Sequence, residues 1–121
     1  MRAAAAGLAL LVFACLSYGA DKEKAPTRNQ FYAAIAHHAP SKSVGWATDR
    51  KTSREARLEA LKHCGHEQCI VAGTVTRGCA ALATSPKASI LQKGASQQEA
   101  QARALAKCGA GCEIAAWTCT R

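Results

Sequence analysis

Thr52-Ser53-Arg54-Glu55-Ala56 and Ser96-Gln97-Gln98-Glu99-Ala100 open two stretches that run in step through Ala60 and Ala104, Leu61 and Leu105, Cys64 and Cys108, and Gly65 and Gly109. The offset between partners is 44 residues throughout, as from Cys64 to Cys108. Each opening is a capping box, in which the Thr or Ser hydroxyl accepts from the third helical amide and the glutamate reaches back to the cap amide. Each stretch closes on a Cys-Gly pair whose glycine supplies the left-handed residue that stops a helix. Two helices of about 12 residues are expected, one in each copy of a duplicated unit.

The match extends in both directions. Downstream one residue drops out, so that Cys69 answers Cys112, Val71 answers Ile114 and Ala72 answers Ala115; upstream, Ala33-Ala34-Ile35-Ala36 answers Ala80-Ala81-Leu82-Ala83. Small and β-branched residues around the helices read as strands. In the first unit these are Phe31 to Ala36, a short Val44 to Ala47 after a turn at His37 to Lys42 with Pro40, and Cys69 to Val75. In the second they are Cys79 to Ala83, a weaker Ala88 to Leu91, and Cys112 to Cys119. The order strand, strand, helix, strand is thus made twice, over 31–77 and 78–121. Two such units about a pseudo-twofold axis predict a two-layer α+β domain, a mainly antiparallel sheet with both helices packed on it. Ala56, Ala60, Leu61 and Cys64 share one helical arc, as do Ala100, Ala104, Leu105 and Cys108, with Arg57 and Gln101 awkwardly inside.

The chain has 121 residues, 7 cysteines and a formal net charge of +8. A domain over 31–121 is near the lower limit for a hydrophobic core acting alone, and much of its apolar content is alanine, so covalent support is expected. Met1-Arg2 followed by the uncharged run from Ala3 to Ala14 reads as a secretory signal, too short to span a bilayer. Two exits are open. Ser17-Tyr18-Gly19 suits cleavage before Ala20, giving a signal over 1–19; Leu11-Val12-Phe13-Ala14-Cys15 resembles a lipobox, which would end the signal at 14 and make Cys15 the lipidated first residue. Residues 20–30, polar and carrying Pro26, form a flexible tether. Either exit removes the seventh cysteine from the pairing and leaves an even set in an exported protein, periplasmic, secreted or anchored to the outer membrane through Cys15.

The repeat narrows the disulfide pairings. Cys64 with Cys69 and Cys108 with Cys112 would clamp each helix end to the next strand, leaving Cys79 and Cys119 to join the first and last strands of the second unit. A rival pairing, Cys64 with Cys112 and Cys69 with Cys108, is also symmetric.

The succession of YAAIA, GWA, a capped Glu-Ala helix ending in Cys-Gly, Cys-x-Val-Ala, Cys-Ala-Ala-Leu-Ala at 79–83, a second capped helix and Ala-Ala-Trp-x-Cys at 115–119 resembles the bacterial domain of unknown function 4189 family, over about residues 31 to 120. The chain differs from similar proteins at Lys87 to Lys93, where those tend to be rich in glycine and tryptophan. The resemblance implies a small exported domain and carries over no catalytic residue.

His63-Cys64-Gly65-His66-Glu67-Gln68-Cys69 holds enough nitrogen and sulfur donors for a tetrahedral zinc, but export favours the disulfide and the second unit has Lys107 and Ala110 in place of the two histidines. His37 and His38 are adjacent on a strand, so at most one is expected in a given site, with Ser41, Ser43 and Asp49 near in sequence as acid-base company. Glu55 and Glu99 are committed to caps, and the remaining carboxylates are too dispersed for a glycosidase pair or a hard-metal cluster. Trp46, Arg50, Lys51 and Arg54 combine an aromatic with positive charge before a helix N-terminus and form the candidate partner-binding group, against the plainer alternative of a core tryptophan and a solvated loop. The expected function is a non-enzymatic binding module of the bacterial envelope that needs no cofactor and meets a protein with an acidic surface. An immunity or inhibitor protein against an envelope-acting toxin or hydrolase is its concrete form. A polyanion or anionic-lipid binder and a small hydrolase using His37 or His38 are the alternatives. No DNA or RNA motif is present, and a membrane is engaged only through lipid on Cys15.

Overall fold

Ala33 to Ala36 and Ala80 to Ala83 are all but sealed from solvent, and each run lies in the middle strand of a three-stranded sheet. The computed structural model describes residues 30–121. The signal segment expected over 1–19 or 1–14, Cys15, and the tether up to residue 29 lie outside the described residues. The chain order is β1 (Tyr32–His38), β2 (Ser43–Arg50), α1 (Ser53–Cys64), β3 (Ile70–Thr76), β4 (Gly78–Ser85), β5 (Ala88–Gly94), α2 (Gln97–Cys108) and β6 (Glu113–Thr120). Strand, strand, helix, strand is therefore made twice. Both sheets are antiparallel and have the same internal order, β2-β1-β3 and β5-β4-β6.

The α+β class, the antiparallel pairing and the two helices with Thr52 and Ser96 as N-caps stand as the repeat predicts; the glutamates do not reach back to the cap amides, Glu99 accepting instead from the Ala95 amide at 3.0 Å. The layering differs. Instead of one sheet bearing both helices, the chain stacks two sheets face to face, β2 over β6 and β3 over β5, with one helix on each outer face. Side-chain alternation explains this. Ala33 and Ile35 point inward with Val75 to meet Ala80, Leu82 and Ala116 of the second sheet, while Ala34 and Ala36 point outward to Ala56, Ala60 and Cys64 of α1. In the second unit Ala81 and Ala83 meet Ala100 and Ala104 of α2. A strand apolar on both faces must be covered on both. Ile35 and Leu82 are the largest side chains fully buried, so the inner core is thin.

The helices come close because their contact lines are alanine. On β2, Gly45 lies so near α1 that an added Cβ would stand 2.2 Å from the Cys64 amide nitrogen. Arg57 is exposed despite its place in the arc, and Leu105, expected to be buried, remains 37% exposed. Thr52 Oγ1 accepts from the Glu55 amide at 3.0 Å and Ser96 Oγ from the Glu99 amide at 3.1 Å, the two N-caps. Gly65 takes φ 72° and donates to the Leu61 carbonyl.

Several strands outrun their expected lengths. β1 continues through His37 and His38, placing the turn at 39–42, and the lysine-bearing segment from Lys87 to Lys93 falls in the β4–β5 hairpin, most of it strand β5. At the other end of β2, Asp49 takes a left-handed φ of 52° and accepts from the Thr120 hydroxyl at 2.8 Å and the Arg121 amide at 3.1 Å. First the Arg121 amide and then the Thr120 hydroxyl hold its carboxyl below the usual carboxylate range. With the Thr48–Thr118 hydroxyl contact of 2.6 Å, these bonds tie β2 to β6 across the sheets. Among the described residues no helix is long and apolar enough to cross a membrane.

Candidate functional site

The β1–β2 turn, the β4–β5 turn and the start of β6 meet at one end of the sandwich and enclose a cleft of about 580 Å³. The two hairpins are repeat equivalents, so the cleft sits on the seam between the units. Its first wall carries His37, His38, Lys42 and Ser43; facing these are Thr84, Ser85, Glu113 and Ile114. Both histidines line it, although alternation along β1 allows only one on each face. The cleft wraps the end of the strand and so reaches both sides.

The two rings have different surroundings. His37 is 8% exposed, and its Nδ1 is buried without a hydrogen-bond partner. Burial first, and the neighbouring His38 second, hold its pKa below the ordinary histidine value, which favours a neutral ring near pH 7. His38 Nδ1 lies 2.7 Å from Ser41 Oγ, and Ser41 Oγ is 2.9 Å from Ser43 Oγ. The other face of His38 stacks on His66, ring centres 3.9 Å apart. Nδ1 of His66 accepts from the Gln68 amide at 3.0 Å.

Asp49 does not join this group. It and Ser43 stand at opposite ends of β2, about 20 Å apart at roughly 3.3 Å per residue. His38 and Ser41 therefore form a hydroxyl–imidazole pair without a carboxylate behind the ring, and a hydrolytic triad is not assembled from the residues considered in the sequence. In the His63–Cys69 segment, Cys64 and Cys69 are bonded to each other and offer no thiolate. His63 Nε2 lies 3.0 Å from Glu59 Oε1.

The structure divides the candidate partner-binding group. Arg50 pairs with Glu59 at 3.2 Å, and Trp46, 49% exposed, lines a small recess with Val44 and Gly45 of β2 and His63 of α1. Lys51 and Arg54 are exposed at the start of α1. They continue onto the outer face of that helix through Arg57, Leu58 and Lys62, a set that the i, i+4, i+8 spacing of Arg54, Leu58 and Lys62 made visible in the sequence but that was not picked out there. Leu58 is 56% exposed among them. Glu113 and Lys42 were also missed as site residues; the signal was the equivalence of the two hairpins, which brings both turns to the same end.

Among the described residues three disulfides form: Cys64–Cys69, Cys108–Cys112 and Cys79–Cys119. The short clips are the within-unit pattern, and the rival cross-unit pairing is not the one formed. Such bonds form and persist in an oxidising environment. Fold, repeat and clips define a small duplicated, disulfide-stabilised α+β domain. The chain belongs to the family described as Domain of unknown function (DUF4189), whose model matches residues 32–119. No match is found among curated proteins or solved structures.

Proposed function

We propose that this protein is an exported, non-enzymatic binding module of the bacterial cell envelope whose partner is a protein with an acidic surface. An immunity or inhibitor protein that blocks an envelope-acting toxin or hydrolase is the concrete form. The observation that supports this is the outer face of α1. Lys51, Arg54, Arg57 and Lys62 are exposed there around Leu58 and enter no ion pair among the described residues, while the nearby Glu59 is occupied by Arg50 and His63. Unneutralised cations around an exposed apolar side chain attract an acidic surface at long range and give it something to bury on contact. The clips at the ends of both helices make the face rigid, which lowers the entropy cost of binding.

The test compares the wild-type domain with Arg54→Glu/Arg57→Glu/Lys62→Glu in capture from envelope extracts of the host, followed by titration of the captured protein in purified form. One acidic protein should bind the wild type, weaken as salt rises and fail to bind the reversed variant. A partner held equally by both proteins would overturn the reading, and binding only to anionic vesicles or polyanions would replace it with the lipid or polyanion alternative. A second reading, a small hydrolase, draws on the 2.7 Å approach of His38 Nδ1 to Ser41 Oγ. Hydrolytic activity lost in His38→Ala at unchanged stability would establish it.

A further inference from the structure

The cleft at the hairpin end has two charges of opposite sign with nothing to neutralise either. Lys42 lies on the β1–β2 turn and Glu113 at the start of β6; both are exposed, both line the cleft, and neither forms an ion pair among the described residues. Elsewhere among the described residues Asp49, Glu59 and Glu99 are each paired with a cation and Glu55 and Glu67 are not, but neither of the latter lines the cleft. At about 580 Å³ the cleft lies within the range of small-molecule sites, and its walls mix apolar with hydroxyl side chains as such sites do: Val44 and Ile114 beside Ser43 and Ser85.

Its three rims are also fixed before any ligand arrives. Ser41 is bonded to His38 and Ser43 in the first turn, Ser85 Oγ accepts from the Lys87 and Ala88 amides at 3.2 and 3.1 Å in the second, and the Cys108–Cys112 bond closes the loop leading to Glu113. A preformed site spends little of its binding energy on ordering itself. At the buried side of the cleft, His37 has lost most of its contact with water and has an Nδ1 without a partner. A largely uncharged ring there contributes a hydrogen-bonding edge rather than a third charge.

We propose that this cleft binds a small zwitterion of the amino acid or short-peptide class, with the carboxylate on Lys42 and the ammonium on Glu113. Neither a simple anion nor a simple cation meets both groups. The site is separate from the basic face of α1 and does not depend on that face having a protein partner.

Titration of the disulfide-intact domain with glycylglycine, followed by amide and imidazole NMR shifts, tests the proposal. Saturable shifts are expected at Lys42, Glu113 and His37. N-acetylglycylglycine, without the ammonium, and glycylglycinamide, without the carboxylate, should each bind about tenfold more weakly, the worth of one charge-assisted hydrogen bond. Lys42 has φ 58°, so Lys42→Asn is the suitable substitution because asparagine tolerates that conformation. Lys42→Asn should bind glycylglycine and glycylglycinamide alike, and Glu113→Gln should bind glycylglycine and N-acetylglycylglycine alike, with both variants melting as the wild type does. Absence of saturable shifts with glycylglycine, equal binding of all three peptides by the wild type, or variants that keep the wild-type preferences would each overturn it.

Discussion

Tyr32 faces Thr76 across the first sheet, and at the matching place in the second sheet Cys79 faces Cys119, bonded with their Cα atoms 3.9 Å apart. From this pair outward the two copies diverge in a consistent direction. All 4 histidines of the chain belong to the first unit, where His37, His38, His63 and His66 stand against Thr84, Ser85, Lys107 and Ala110 of the second. The second unit carries the long-range covalent bond; the first carries the titratable rings and the basic helix face. The shared backbone requires neither, since both copies build the same three strands and one helix. Cross-linking and chemistry have thus been distributed over two halves of equal shape.

The comparison breaks most visibly at the long disulfide. Replacing Cys79 and Cys119 together with alanine should lower the unfolding free energy by about 4 kcal/mol from loop entropy, against about 2 for the same change at Cys64 and Cys69. Denaturant titration of the two variants checks this, and equal losses would mean that the bond does not set the second unit apart. Gly45→Ala should cost about 3 kcal/mol by forcing α1 off its sheet, because the new carbon meets helix backbone rather than a movable side chain. Gly94→Ala, whose Cβ would lie 2.6 Å from the Ala100 amide nitrogen, should cost less because its approach is less close. Thermal melting of both variants ranks the two helix–sheet contacts. Thr52→Ala and Ser96→Ala should each cost about 1 kcal/mol, and alike, since both hydroxyls accept from the third helical amide at matching distances.

The smallest effect separates the units by pH. His37 has a folded pKa below its ordinary value of 6.5, so the unfolded chain binds more protons there than the folded one. The stabilisation is complete above 6.5 and is lost as pH falls from there through the depressed folded value. Asp49, also depressed, adds a second loss beginning below its ordinary 3.8. Melting temperature followed against pH should decline in the first window for the wild type and stay flatter for His37→Gln. A Thr84→Ser variant in the second unit should follow the wild-type profile.

What could be read from the sequence was what is local or repeated. The caps at Thr52 and Ser96, the Cys-Gly helix ends and the short clips depend on residues within a few positions of one another, and duplication locates each of them; the expected left-handed stop holds at Gly65, whereas Gly109, at φ 95° and ψ −166°, ends its helix in another conformation. The layering did not come through, because the same alanine runs suit a strand in one broad sheet or a strand covered on both faces. The clue available was that Ala33 to Ala36 and Ala80 to Ala83 show no alternation with polar residues, a pattern of strands buried on both sides. At the site, the contact of His38 with Ser41 was within reach of a three-residue spacing. Its stacking on His66 and the opposition of Lys42 to Glu113 depend on how separate loops meet, and no local pattern encodes that.

Arg77 is the whole connection between β3 and β4, and so between the two units. Cut there, the chain would leave two halves with bare inner faces, Ala33, Ile35 and Val75 on one and Ala80, Leu82 and Ala116 on the other. These faces are near copies of each other, so their seam has the character of an isologous dimer interface enclosed within a single chain. A dimer of separate halves would come apart on dilution, whereas the joined chain keeps its second half at a high fixed local concentration. The inner sheet faces therefore stay covered however dilute the protein becomes.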